Sequence, residues 1–141
     1  MSSRSKSTLF LMEQIVVIAV FAICAAVCVK ILVVSYIMTV DAVDTRNALL
    51  AAESAAESHK AFAGDVERIA EILSGSAGGD IVRVFYDSYW QPGGEDGAYF
   101  VLYLVRSDAA QPVIFADITV SRTLDDHELI SLTAAVRGSA R

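Results

Sequence analysis

Residues Leu9 to Val40 read LFLMEQIVVIAVFAICAAVCVKILVVSYIMTV, and this stretch constrains the fold more than any other part of the chain. It is apolar almost throughout, and its only charged residues are Glu13 near the start and Lys30 past the middle. About 20 consecutive apolar residues suffice to cross the hydrocarbon core of a bilayer, and Ile15 to Met38 meets that length. The stretch is therefore interpreted as a membrane-spanning helix. A charge at the centre of such a helix costs on the order of 2.5–3.5 kcal/mol, so Glu13 requires a reason.

Charge is divided sharply along the chain, which has 141 residues and a net charge of −6. Up to Val40 three basic residues and one acidic residue give a net charge of +2, and the remainder carries eight basic and sixteen acidic residues, a net charge of −8. A basic flank before an apolar span predicts a single-pass protein of the cell membrane with a cytoplasmic N-terminus and an extracytoplasmic C-terminal domain. The acidic domain argues against contact with nucleic acid, whose phosphates it would repel.

The helical periodicity does not stop where the apolar stretch ends. Apolar residues recur at spacings near three, four and seven, and charged residues mostly fill the other face. We expect one helix, or two nearly collinear ones, from about Thr8 to about Leu73, apolar all round over residues 9–40 and amphipathic over residues 41–73. The apolar residues of the amphipathic pattern are Val40, Val43, Leu49, Ala52, Ala56, Phe62, Val66, Ile69 and Leu73.

Beyond Ser74–Asp80, a run rich in glycine and serine, the period of the apolar residues changes to two. The alternation predicts strands at Ile81–Trp90, Ala98–Arg106 and Val113–Arg122. The second of these is apolar on both faces and is therefore expected at the centre of the sheet.

The last segment, Glu128–Arg137, fits two structures. Leu129, Leu132 and Val136 are spaced as on a helix, whereas alternate apolar residues are typical of a strand. A strand is favoured because the preceding turn makes the segment the return arm of a hairpin. The predicted fold class is α+β: a long N-terminal helix, with its first half in the membrane, packed on a small antiparallel sheet of three to four strands. Residues 80–137 supply the sheet and form one extracytoplasmic domain with residues 41–73.

This arrangement resembles the type IV pilin-like family, which includes the pseudopilins of type II secretion. The family has a short basic leader that is cleaved, and a mature chain that opens with an apolar stretch whose fifth residue is glutamate. Here residues 1–8 correspond to the leader. The opening of the mature chain corresponds to Leu9-Phe10-Leu11-Met12-Glu13, which places Glu13 at the glutamate position. Cleavage would fall between Thr8 and Leu9, although Thr8 stands where the family has glycine.

The resemblance implies a role for Glu13. Cleavage frees an α-amine beside the bilayer core, and the glutamate one helical turn on neutralises the amine of its own chain or of a neighbouring subunit. The expected function is that of a minor pilin-like or pseudopilin-like structural subunit of a secretion, pilus or DNA-uptake assembly. Its partners would be membrane lipid, other pilin-like subunits and envelope assembly proteins. The alternative is a single-pass protein that keeps its leader and binds a partner through its extracytoplasmic domain.

Signals for catalysis are weak. No nucleophile elbow or Ser-His-Asp set occurs, and His59 and His127, the only histidines, are expected at the surface rather than as metal ligands. An acidic turn at Asp125-Asp126 with Glu128 is more typical of an ordinary turn than of a calcium site. The chain is therefore predicted not to be an enzyme, and to have no cofactor, no resident metal and no small-molecule substrate.

An aromatic-rich first hairpin leaves two readings open. Its rings either pack in the core and across strands, which is favoured, or form an exposed interaction patch. The residues concerned are Tyr86, Tyr89, Trp90, Tyr99, Phe100 and Tyr103.

Overall fold

The structure, a computed structural model, describes residues 3–110 and 112–138, and the side-chain surroundings of residues 7–107 and 112–138. The described residues form two helices followed by six strands, with the bounds α1 Ser3–Ala61, α2 Val66–Ile72, β1 Ser76–Gly78, β2 Ile81–Tyr86, β3 Pro92–Gly93, β4 Phe100–Ala110, β5 Val113–Arg122 and β6 His127–Arg137. Contacts divide the chain into two compact units, Met1–Ala42 and Val43–Arg141. The first unit is helical where described, and the second contains the remainder of α1, α2 and the sheet.

The α+β class is confirmed, as a long N-terminal helix packs on an antiparallel sheet. The sheet has more strands than the three to four predicted, because β1 and β3 add short pieces to β2. Strands of two and three residues are too short to produce a detectable apolar period, so they form only because the edge of β2 is available for pairing.

The helical region consists of two helices, which is one of the two alternatives that the sequence left open. Phe62–Asp65 separates them, with Ala63 and Gly64 at φ values of 49° and 79° in the left-handed region. Such backbone ends a helix and suits glycine. Asp65 then begins α2 as its N-cap, and its carboxylate accepts a hydrogen bond from the Arg68 backbone N–H at 3.4 Å.

Neighbouring strands are antiparallel throughout, in the order β1-β2-β4-β5-β6, with β3 also paired to β2. The predicted central position of the second strand is confirmed, since β4 lies between β2 and β5. The strand interpretation of the last segment is also confirmed: β6 pairs with β5 from Arg122↔His127 to Val113↔Arg137. The long β5–β6 ladder explains why the strand wins over the helix for this sequence.

The core lies between the second half of α1, α2 and one face of the sheet. The sheet contributes large β-branched and leucine side chains, whereas α1 contributes alanines: Ala48, Ala52 and Ala55 are fully buried. Within the second unit, two residues of the predicted apolar pattern are instead exposed, Val43 at 52% and Leu49 at 38%, and Val40 of the first unit is exposed as well, at 42%. The prediction failed there because small side chains let a helix approach a sheet whose own side chains already fill the space.

Candidate functional site

The first candidate site is the apolar surface of α1 over residues 9–40. All its side chains are exposed, and its large apolar ones range from 41% exposure at Val34 to 75% at Phe21. Within the described residues, α1 is the one helix that is long and apolar enough to cross a membrane. No part of its most apolar window is buried in the protein. An apolar surface of this extent needs a partner, and its length matches the hydrocarbon core of a bilayer.

Glu13 lies on this surface, one helical turn after Leu9, and its side chain is exposed. Thr8 and Leu9, the predicted cleavage position, are both within α1. The predicted leader, residues 1–8, lies partly outside the described residues, and the side chains of Arg4 and Lys6 lie outside the described part as well. The structure therefore brings Thr8, Leu9 and Glu13 onto consecutive turns of one helix, and tests neither cleavage nor the role of Glu13.

Two further features lie in the same segment. Lys30 is exposed, and its long aliphatic stem allows the amine to reach toward a polar boundary. Cys24 and Cys28 are free and exposed, one helical turn apart. Their side chains are therefore accessible to a neighbouring molecule along the segment.

A second candidate site, which sequence analysis did not find, is a polar cluster where the chain enters the second unit. The Trp90 indole Nε1 donates a hydrogen bond to Asp44 Oδ1 at 3.3 Å. The Arg122 guanidinium lies 3.7 Å from Asp44 Oδ2 and 3.6 Å from Asp125 Oδ2. Asp44 and Arg122 are largely buried side chains, 18% and 24% exposed, so the pair is better shielded than a surface ion pair. We call these four residues the Asp44 cluster.

Aromatic packing supports the Asp44 cluster from the core side. The Trp90 ring stacks on Phe100 with centroids 4.0 Å apart and lies 5.7 Å from Tyr86. Burial raises the pKa of the Tyr86 hydroxyl. Trp90 adopts a left-handed backbone, φ 61°, inside a turn whose N–H groups at Tyr89 and Gln91 donate to Asp87 Oδ1 at 2.8 and 2.9 Å. A bulky residue is rare in this conformation, so the stacking and the hydrogen bonds hold it there.

The aromatic hairpin divides between its two predicted roles. Tyr86 and Phe100 are buried in the core, and Trp90 packs against it. Tyr89, Tyr99 and Tyr103 are exposed. Core packing is thus confirmed for three of the six rings, and the interaction patch stays a prediction for the three exposed ones.

The surface position predicted for His59 is wrong: its side chain is fully buried. It follows Ala55 by one turn and Ala52 by two, so it falls on the buried face of α1. Its Nε2 lies 3.4 Å from the carbonyl oxygen of Ile114, and within the described part of the chain Nδ1 has no hydrogen-bond partner. His127 is exposed, as predicted. Among residues 3–110 and 112–138, no three His, Cys, Asp or Glu side chains are grouped as a metal site.

Comparison with known proteins adds no relative to this picture. No family model matches the chain, and no curated protein or solved structure matches it either.

Proposed function

We propose that this chain is a membrane-anchored, minor pilin-like or pseudopilin-like structural subunit of a secretion, pilus or DNA-uptake assembly. The observation that carries the proposal is the change of character within α1. The helix presents an exposed apolar surface with a single acid over residues 9–40, and then an alanine face that packs on an antiparallel sheet. One helix thus provides both a membrane anchor and the backbone of a folded domain.

Glu13 is the residue to which the proposal gives the assembly role. Cleavage between Thr8 and Leu9 would create an α-amine about 6 Å along the helix axis from Glu13. In the low dielectric at the edge of a bilayer, an amine and a carboxylate attract strongly, and an unpaired carboxylate is costly. A carboxylate on one subunit and an amine on the next would then favour a defined stagger between packed helices.

The charge distribution supports the orientation within this proposal. Basic residues precede the apolar segment and acidic residues dominate after it, which favours a cytoplasmic N-terminus and an extracytoplasmic domain. The function needs neither a catalytic group nor a cofactor, and its partners are lipid, other subunits of the same kind and envelope assembly proteins.

A second candidate function is a single-pass anchor that retains its leader and binds a partner through its domain. Thr8 in place of glycine favours it. The two functions predict different masses for the chain purified from membranes. A processed subunit lacks Met1–Thr8, whereas a plain anchor retains these residues. Intact-mass and N-terminal peptide measurements distinguish them.

Assembly itself can be tested through the native cysteines. Because Cys24 and Cys28 are exposed on the apolar segment, mild oxidation of membranes should cross-link neighbouring subunits into a ladder of oligomers, which a Cys24→Ser/Cys28→Ser variant should not form. Glu13→Ala should abolish the ladder, whereas the adjacent and equally exposed Gln14→Ala should preserve it. A ladder that survives Glu13→Ala unchanged would contradict the role of the carboxylate. If the unsubstituted chain forms no ladder and stays monomeric, the subunit function is contradicted and the single-pass anchor is the function that remains.

A further inference from the structure

Three loops lie at one end of the sheet because antiparallel strands alternate in direction. β2 ends where β4 begins, and β5 ends where β6 begins, with β4 lying between β2 and β5. Backbone hydrogen bonds join the loops, from Tyr99 N–H to the Tyr86 carbonyl at 2.8 Å and from Thr123 N–H to the Tyr99 carbonyl at 2.9 Å. We call this the proximal end, made of the loops Asp87–Gln91, Gly94–Tyr99 and Thr123–Asp126.

The proximal end is also where the chain arrives from the apolar segment. Asp44 contacts Trp90 of the first loop and Arg122, which immediately precedes the third. Asp44 follows Val40 by only four positions, and four residues span at most about 14 Å even when fully extended. Covalent connection alone therefore keeps the proximal end close to the end of residues 9–40.

Each proximal loop exposes one large, partly or wholly apolar side chain. Tyr89 is 82% exposed, Tyr99 55% and Leu124 88%. Tyr99 and Leu124 also line an open depression of about 360 Å³ together with Gly97, Ala98 and Thr123. Tyr89 lies in a hydrogen-bonded turn, since its backbone N–H donates to Asp87 Oδ1.

We propose that Tyr89, Tyr99 and Leu124 form a docking surface for the headgroup zone of the bilayer that holds residues 9–40. Tyrosine combines an apolar ring with a polar hydroxyl and is enriched at membrane–water interfaces. The short connection to the apolar segment gives the surface a high effective concentration at that bilayer. Contacts that are individually weak therefore suffice to keep the domain bound to it. The inference rests on the membrane anchor in the proposed function and adds the lipid contact of the domain.

The acidic charge of the proximal loops favours lipid over a second copy of the chain as the partner of the docking surface. The proximal loops also carry five acidic residues, and Asp125 is the one that an ion pair with Arg122 partly neutralises. Two such ends would repel each other, and anionic headgroups would repel them too. The surface therefore fits zwitterionic or uncharged headgroups. The acidic residues are Asp87, Glu95, Asp96, Asp125 and Asp126.

The test measures the depth of spin labels on the full chain in phosphatidylcholine vesicles. In a Cys24→Ala/Cys28→Ala background, a nitroxide is attached to Leu124→Cys at the proximal end. Gly78→Cys serves as the matched control at the opposite end of the sheet, where an added side chain meets no atom within 4 Å. Val27→Cys reports on the apolar segment. Depth is read from relaxation by oxygen, which concentrates in lipid, against relaxation by a water-soluble nickel complex.

We expect the oxygen-to-nickel ratio to be several-fold higher at Leu124→Cys than at Gly78→Cys, and highest at Val27→Cys. Replacing both Tyr89 and Tyr99 by serine should lower the ratio at Leu124→Cys, and so should adding phosphatidylglycerol at low salt. If the Leu124 label is as accessible to nickel as the Gly78 label while the Val27 label lies in the hydrocarbon, the docking proposal is overturned and the membrane anchor stands. A Val27 label in water would overturn the anchor, and the docking with it. Equal depth in the two vesicle types would overturn the headgroup preference.

Discussion

The two halves of α1 have the same backbone and opposite relations to their surroundings. Over residues 9–40 the side chains are mostly large, apolar and exposed, whereas over the stretch from Ala48 to Ser58 the buried side chains are small. Large exposed side chains gain from a fluid partner that adapts to any shape, which describes lipid. Small buried ones gain from a rigid sheet at close range, because packing there is dense. One helix therefore presents two different surfaces, and the difference lies in side-chain size and not in apolar character alone.

The largest difference between the two halves of α1 is expected when the same charge is placed in each. Ile23→Asp and Leu50→Asp both replace exposed apolar side chains of α1, 65% and 55% exposed. Aspartate near the centre of a membrane helix costs about 2.5–3.5 kcal/mol, which is roughly a hundredfold in the insertion equilibrium. Ile23→Asp should therefore lose carbonate-resistant membrane association, and Leu50→Asp should keep it. Equal recovery of the two variants in the membrane pellet would show that residues 9–40 are not inserted.

A larger side chain on the buried face of α1 should destabilise the domain, whereas the same change on the exposed segment should not. Ala52 is fully buried against the sheet, and Ala52→Leu should lower the free energy of unfolding by about 1–3 kcal/mol through overpacking. Ala25→Leu, an identical change on the exposed segment, should leave it unchanged. Both are measured on the full chain in detergent by denaturant titration, using the fluorescence of Trp90, the single tryptophan. A stable Ala52→Leu variant would mean that α1 and the sheet are packed less closely than described.

The smallest change in the free energy of unfolding is expected for Asp44, which lies just after the apolar segment of α1. Asp44→Ala removes the acceptor for Trp90 and the partner of Arg122, and should cost about 1 kcal/mol because the cluster is partly open to water. Asp44→Asn, which keeps an acceptor oxygen, should cost less. Glu53→Ala, an exposed acid on the same helix, is the control. If Asp44→Ala and Glu53→Ala have the same effect on unfolding and on Trp90 emission, the Asp44 cluster contributes nothing to stability.

Sequence periodicity predicted the elements better than it predicted their contacts. The strands at Val113–Arg122 and in the last segment were found because alternation is a local property of the chain. Val43 and Leu49 were assigned to the buried pattern because periodicity weighs apolar character and ignores size. The sheet selected the alanines instead.

The polar contacts of the domain were beyond sequence reasoning for a different reason. Asp44 and Trp90 are 46 residues apart, and His59 and Ile114 are 55 residues apart, so no local pattern links them. One signal was available for His59, since it occupies the helical positions that continue Ala52 and Ala55. The assembly role of Glu13 and cleavage between Thr8 and Leu9 stay predictions, because a single folded chain contains neither the neighbouring subunit nor the peptidase that would act there.

Length, charge and period are properties of consecutive residues, so they were enough to predict one long apolar helical segment, an acidic α+β region after it, and alternating strands. Packing between distant segments set which side of α1 is buried, the break in the helical region before Asp65, and the contacts among Trp90, Asp44 and Arg122. These outcomes depend on how side-chain volumes and polar groups from distant segments fit together. That fit exists only once the sheet has formed against the helix.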